Sequence, residues 1–234
     1  MAFKTSNDPR LVPAYSVADA AHYLRMPEGT LRSWVVGRLY PVGGQSKRSR
    51  PLIHLDDPKR QYLSFINLVE GHVLAAIRRR HDVKLPKVRK ALDYVQRVFQ
   101  IQRPLIDQAF QTDGLDLFVE RYGELINASR EGQQAIKEII GVYLKRIERD
   151  SKGLPMRLFP FTRDTQAEAA PSSDPRVVVM NPAVSFGRPV IAGTGIPVSS
   201  IYECYKAGDS VVDLAQNFRL EISEIEEAIR CEAA

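Results

Sequence analysis

Cysteine is scarce in this chain: Cys204 and Cys231 are the only two among 234 residues. Neither belongs to a CxxC pair or neighbours a histidine, which argues against both a zinc site and a disulfide. Both thiols are expected to act as small buried apolar side chains in a reducing cytoplasm. Histidine is rare as well. His22, His54, His72 and His81, taken with Asp93, Asp107, Asp113 and Asp116, show neither metal-ligand spacing nor a triad arrangement. The reading is therefore of a non-enzyme with no cofactor and no metal. No apolar run approaches the roughly 20 residues needed to span a bilayer, and MAFKTSNDPR lacks the apolar core of an export signal. A cytoplasmic chain without a membrane partner is expected. Internal repeats and low-complexity tracts of note are missing too. What remains, 44% hydrophobic and 26% charged residues, is the composition of a folded chain long enough for two or three small domains.

Charge is present but unevenly placed. Residues 1–103 hold 19 Lys or Arg against 8 Asp or Glu, a net +11, whereas residues 104–170 carry −2 and residues 171–234 carry −4. A basic head of this kind attracts phosphate through counterion release. The same third of the chain contains YSVADAAHYLRMPEGTLRSWVVGR, from Tyr15 to Arg38. Ser16 is a natural N-cap, and Val17, Ala20, Ala21 and Leu24 share one helical face. Arg25 to Pro27 break that pattern, and Leu31, Trp34 and Val35 then face inward while Glu28, Thr30, Arg32 and Ser33 face out. Two short helices with a polar, basic outer face fit the helix-turn-helix geometry for the DNA major groove; an ordinary helical hairpin would show the same spacing, and the charge favours DNA.

Beyond Trp34 the chain reads GRLYPVGGQSKRSRPLIHL. Gly43-Gly44 mark a turn, Lys47, Arg48 and Arg50 form a basic tip, and Pro51 to Leu55 are expected to return as a strand, together making a wing. Asp56 or Asp57 is expected to cap a helix carrying Tyr62, Ile66, Val69, Val73 and Ile77, ending in Arg78-Arg79-Arg80. That triplet is either a solvated helix end or a phosphate contact. Leu85-Pro86 begin a further helix with Val88, Leu92, Val95 and Phe99 on one face and Lys87, Arg89 and Lys90 on the other.

SVADAAHYLRMPEGTLRSWVVGRL resembles the DNA-binding domain of MerR-type regulators, and YLSFINLVEGHVLAAIRRRHDVKLPKVRKAL is similar to the helix pair that follows the wing there. The resemblance covers about residues 14–99 and implies dimeric binding to a palindromic site. The chain departs from the family beyond that point: Arg103-Pro104 interrupt the long dimerisation helix, and no sensor cysteine follows.

In the middle segment Leu115, Leu117 and Val119 alternate with Asp116, Phe118 and Glu120, which predicts a strand, with a turn at Tyr122-Gly123 and a return over Leu125 to Ala128. Ile136, Ile139, Ile140, Tyr143, Leu144 and Ile147 predict an amphipathic helix, and Met156 to Phe161 an edge strand. The segment is too small for its own core; it serves homodimerisation or packs as structural support. TRDTQAEAAPSSDP, residues 162–175, reads as a linker.

Residues 187–198, GRPVIAGTGIPV, are two β-branched segments hinged by Gly193-Thr194-Gly195. The glycines are not followed by Lys-Ser/Thr, so a phosphate loop is excluded. Ser199 or Ser200, Ser210 and Ser223 are expected to cap three short helices with an acidic surface. The motif, the Ala207-Gly208-Asp209 turn and the helices resemble, over residues 177–231, a small domain found in VapB-type antitoxins. Gly195 stands where many members have arginine, so no role of that arginine carries over.

The expected fold class is mainly α with short β elements. It comprises a MerR-like winged helix-turn-helix over residues 1–103, a small α+β middle segment over 104–161, a linker over 162–175 and a C-terminal three-helix, helix-turn-helix-like antitoxin domain over 176–234. The resemblances imply an antitoxin of a bacterial type II pair that inhibits a PIN-like ribonuclease toxin and, as a homodimer, binds operator DNA to repress its own operon. A MerR-like ligand-responsive regulator without a toxin is the alternative. For DNA the candidates are Thr30, Arg32, Ser33, Arg38, Lys47, Arg48 and Arg50. For the toxin they are Arg188, Pro189, Val190, Ile191, Ile196 and Val198, in a segment equally suited to building the domain's own β-ribbon.

Overall fold

Ser16 caps the first helix, α1 (Val17–Tyr23), its Oγ accepting from the Asp19 N–H at 3.0 Å. Such a cap satisfies one of the four orphan donors of a helix start. The computed structural model describes residues 8–55, 57, 59–79, 85–161 and 175–233. The expected linker falls outside these apart from Pro175, as do Asp56, Arg80 and His81. Two compact units divide the chain, Met1–Pro155 and Met156–Ala234.

In the first unit Arg25 adopts left-handed backbone (φ 50), which ends α1 after Leu24, and Pro27 leads into α2 (Glu28–Val35). Two strands follow, β1 (Leu39–Val42) and β2 (Gln45–Arg48), paired antiparallel from Leu39 opposite Arg48 to Val42 opposite Gln45. The returning strand is thus Gln45–Arg48 and not Pro51–Leu55. Gly43 and Gly44 both have positive φ (57 and 78), and such a two-residue turn pairs the residues on either side of it at once.

Helix α3 (Phe65–Arg79) begins at Ser64, whose Oγ accepts from the Asn67 N–H at 3.3 Å. Asp57 does not cap it; its carboxylate accepts from the N–H groups of Lys59 and Arg60 in a separate turn. Tyr62 precedes the helix and is exposed. From Phe65 to Ile77 every residue of α3 is buried, so the helix runs through the unit's interior. Gly71 lies close against Leu24, the residue that follows α1: a Cβ there would come within 2.7 Å of Leu24 Cδ1. Helix α4 (Leu85–Phe99) buries Val88, Ala91, Leu92 and Val95.

The expected strand over residues 115–120 is instead helical, α5 (Leu115–Ile126). Leu115, Phe118, Val119, Tyr122 and Gly123 are its buried residues, at helical spacing, while Asp116 and Glu120 are exposed. The apparent alternation arises because Leu117 sits at the edge of that stripe. Asn127, at φ 56, ends α5 where a return strand was expected. Ser129 then caps α6 (Arg130–Leu144). Residues 104–144 pack on the head: α5 lies against α4 and α6 against α3. The strand β3 (Ile147–Arg149) and a turn closed by the Asp150 N–H on the Leu154 carbonyl (2.9 Å) complete the unit.

The strand β4 (Pro155–Leu158), shorter than the expected strand, leads into the second unit, where Leu158 exchanges two backbone hydrogen bonds with Met180. The strand β5 (Val178–Val179) pairs antiparallel with β6 (Val190–Ile191). Phe159, Val179 and Val190 pack together beneath them. Three helices follow: α7 (Val198–Ala207), α8 (Val211–Phe218) and α9 (Ile222–Glu232). Ser210 caps α8, with Asp213 N–H donating at 3.1 Å. The other two caps differ from expectation: Pro197 precedes α7, and a Glu221–Glu224 capping box, not Ser223, starts α9. Val198, Ile201, Leu214, Ile225, Ala228 and Cys231 close the core. Cys231 is buried and Cys204 half-buried.

Arg10 joins the beginning of the first unit to its end. Its guanidinium donates to both Asp8 oxygens and, at 2.7 Å, to Asp150. The hydrogen bond from Arg10 holds the Asp8 carboxyl below its ordinary value. Asp150 is held low chiefly by the Leu154 N–H, with Arg10 adding to it. Lowered carboxyl values mean that this contribution to stability is complete above the ordinary value and disappears as pH falls through the folded one. Arg10→Ala should therefore flatten the fall of melting temperature between about pH 5 and pH 2, measured by thermal unfolding across that range.

Candidate nucleic-acid interface

The β1–β2 hairpin leaves from the C-terminal end of α2, and the chain on either side of it is pinned. Trp34, buried to 1% exposure, offers its carbonyl to the N–H groups of Leu52 (2.7 Å) and Ile53 (3.1 Å). The His54 carbonyl then accepts from Asn67 of α3 at 2.9 Å and from Arg103 at 3.3 Å. At the hairpin base, Arg38 and Ser49 bond reciprocally: Ser49 N–H donates to the Arg38 carbonyl and Arg38 N–H to Ser49 Oγ, each at 2.9 Å. Gly37, at φ 83, makes the sharp exit from α2, and a Cβ there would sit 2.1 Å from the Ser49 carbonyl oxygen. All eight hairpin strand residues are exposed. The hairpin therefore projects from a rigid base.

Its charges are arranged differently from a basic tip. The tip is Gly43-Gly44, and Lys47 and Arg48 lie within β2 on opposite faces, since successive strand residues alternate. Lys47 stands opposite Tyr40, and Arg48 opposite Leu39. Arg48 leans back to the Val36 carbonyl (3.5 Å), close to the end of α2. Arg50 lies past the strand, its side chain exposed and its carbonyl bonded by the Arg89 guanidinium of α4. Nothing in the local sequence links Arg89 to Arg50.

On α2, Arg32 is exposed and pairs with Glu28 at 2.5 Å and with Gln61 at 3.0 Å. An exposed i,i+4 pair of this kind is worth only about 0.3–0.5 kcal/mol, so a phosphate or base edge can displace it. Thr30 and Ser33 are half-buried, and Ser33 Oγ donates to the Thr30 carbonyl at 2.7 Å. Their hydroxyl oxygens can still accept. Arg38 is exposed at the start of the hairpin. Arg32, Arg38, Lys47, Arg48 and Arg50 are all exposed, with Lys47 and Arg48 on opposite faces of the hairpin.

In the second unit Arg188 is exposed, while Pro189, Val190, Ile191 and Val198 are buried and Ile196 half-buried. The Ile191 N–H donates to the Ile196 carbonyl (2.9 Å) and the Val198 N–H to the Pro189 carbonyl (3.0 Å). The two β-branched segments pair with each other, and their side chains fill the unit's own core. Neither unit, among the described residues, contains a cluster of His, Cys, Asp or Glu able to hold a metal. No helix among them is long and apolar enough to cross a membrane.

Residues 13–92 match a family described as "Putative DNA-binding HTH domain", and residues 178–230 match one described as "Protein of unknown function (DUF433)". The chain is 28% identical to a Mycobacterium tuberculosis protein named "Putative antitoxin VapB45", over 95% of each chain. It is 25% identical to "Uncharacterized protein Rv2308" of the same organism, over 92% of this chain and 88% of the relative. The fold is similar to the crystal structure of Rv2018 from Mycobacterium tuberculosis, with a TM-score of 0.64 and 22% identity over 93% of this chain and 97% of that one.

The glycines of the hairpin should differ sharply in tolerance. Gly37→Ala meets the Ser49 carbonyl at a left-handed position and should lower unfolding free energy by about 1–3 kcal/mol, read by chemical denaturation. Gly43, with no atom within 4 Å of an added Cβ, should accept asparagine at nearly no cost, since asparagine tolerates the left-handed conformation.

Proposed function

We propose that this chain is the antitoxin of a bacterial type II toxin–antitoxin pair: a binding protein, not an enzyme, that holds operator DNA with its first unit and a ribonuclease toxin with its second. The observation that carries the DNA half is the exposed hairpin bearing Lys47 and Arg48, held by its base at the end of α2. In this reading α2 enters the major groove, with Thr30, Arg32 and Ser33 facing base edges, while Arg38, Lys47, Arg48 and Arg50 track phosphates. One such helix covers a single half-site, so the chain acts on a palindrome as a homodimer in a MerR-like manner.

The toxin half rests on the resemblance of residues 177–231 to VapB-type antitoxin domains and on the relative named as an antitoxin over nearly the whole chain. Its physical support is charge. Residues 171–234 carry a net −4, which suits a partner whose RNA groove is cationic and which needs that groove covered. A PIN-like ribonuclease is such a partner. Bound together, antitoxin and toxin would occupy the operator and repress their own operon. A ligand-sensing regulator would instead need a cavity in the middle segment, where Phe110, Phe118 and Tyr122 are buried, with neighbouring ring centroids 5.6–5.8 Å apart.

Co-expressing the full chain with the product of the adjacent reading frame, a ribonuclease toxin in this reading, should restore growth and give a complex that co-purifies; continued toxicity or the lack of a complex would sink the reading. On DNA, replacing Lys47, Arg48 and Arg50 by alanine should weaken binding to operator and unrelated duplex alike. The slope of log affinity against log salt should flatten by about 0.9 for each phosphate that is no longer neutralised. Gel shifts over a salt series measure both.

A further inference from the structure

Phe186 is the most exposed large apolar side chain among the described residues, at 90%. Exposure alone would mean little, because single apolar residues are common on surfaces. Its backbone is what sets it apart. Ser185, Phe186 and Gly187 have successive positive φ values of 46, 55 and 80. For a bulky residue that conformation is costly and persists only where surrounding structure imposes it. Here the surroundings do so. The Gly187 N–H donates to the Val184 carbonyl at 2.8 Å and the Arg188 N–H to the Ser185 carbonyl at 3.2 Å. Ser185 Oγ donates to the Gly195 carbonyl at 3.1 Å, tying the loop to the far end of the GRPVIAGTGIPV motif. Val190 and Ile191, shortly beyond, are locked in the core. Glycine or asparagine would hold this turn with less strain; phenylalanine holds it with a ring aimed into water.

Strain spent on presenting an aromatic ring is intelligible if the ring is a preorganised anchor, the residue class that dominates interface energies. Two classes of partner can receive such a ring, a protein pocket or an unstacked nucleobase. The net −4 of residues 171–234 opposes nucleic acid and favours a protein of cationic surface. Arg188, exposed two residues on, would then meet an acidic group at the pocket rim.

We infer that the Ser185–Arg188 loop is the contact by which the second unit grips its protein partner, with Phe186 inserted into an apolar pocket of that partner; the inference rests on the antitoxin reading above, the partner being the adjacent ribonuclease. The test is Phe186→Asn in the full chain, with the product of the adjacent reading frame, the ribonuclease in that reading, as probe. Asparagine suits the left-handed turn, so the variant should melt at the wild-type temperature or above it, bind operator DNA unchanged, and bind the ribonuclease at least about tenfold more weakly by calorimetry. Phe186→Trp, which keeps an aromatic anchor, should retain more of the affinity than asparagine. Affinity of Phe186→Asn within about twofold of wild type would overturn the anchor and leave the antitoxin reading standing. So would a lowered melting temperature, which would make Phe186 a packing residue, or a defect in self-association or RNA binding with ribonuclease affinity intact. A wild-type chain that binds operator but not the ribonuclease would overturn both.

Discussion

The first unit depends on one constraint: α3 is buried on all sides and must nevertheless carry polar side chains. Asn67, Glu70 and His72 are all 6% exposed or less, and an unpaired polar group so placed costs about 1–3 kcal/mol. Each is therefore matched to a different neighbour. Asn67 reaches the His54 carbonyl behind the hairpin and the Glu70 carboxylate. Glu70 faces Arg103 at 3.7 Å. His72 Nε2 lies 3.2 Å from the Tyr143 carbonyl of α6, which an N–H donor satisfies. A helix that is apolar all round would pack at many rotations; these three polar side chains select one.

That selection is what carries the hairpin to its place. The same His54 carbonyl that Asn67 holds lies one residue beyond Ile53, itself bonded to Trp34 at the end of α2. Helix α2, the hairpin base and the central helix are thus linked through backbone carbonyls, not through the exposed arginines. The exposed charges contribute little to the fold: the Arg32–Glu28 pair is solvent-screened and weak. In the second unit the division is similar. The apolar run of GRPVIAGTGIPV is consumed in the core, and the loop that leads into it, Ser185–Arg188, is left to face outward.

Much of the fold is legible from residue order alone. Ser16 and Ser210 as caps, the α1–α2 stripe, the Gly43-Gly44 turn, α4, α6 and the Gly208 stop at φ 110 follow from side-chain chemistry and period, because each is decided within one or two turns of chain. The strand expected in place of α5 has the same source: Leu115 to Glu120 satisfies period 2 and period 3.6 over so short a window, and only packing against α4 and α6 chooses. The starts of α3 and α9 differ from expectation for a related reason. Several acids and serines there could cap, and the choice fell to the residue whose neighbour three positions on could answer it, Asn67 for Ser64 and Glu224 for Glu221.

Residue order by itself determined that a basic helix-turn-helix head precedes an acidic tail, since charge and helical period are local sums that no folding can alter. Tertiary structure alone decided which side chains remain available. Val190, Ile191 and Val198 read equally well as surface or core until strand pairing buried them. Lys47 and Arg48 read as one cluster until a two-glycine turn set them on opposite faces of a strand. Phe186 has the composition of a core residue, and only a left-handed turn held by Val184 and Gly195 puts it in water. Exposure is a property of contacts made by residues distant in sequence, and burial of one segment is what leaves another free to bind.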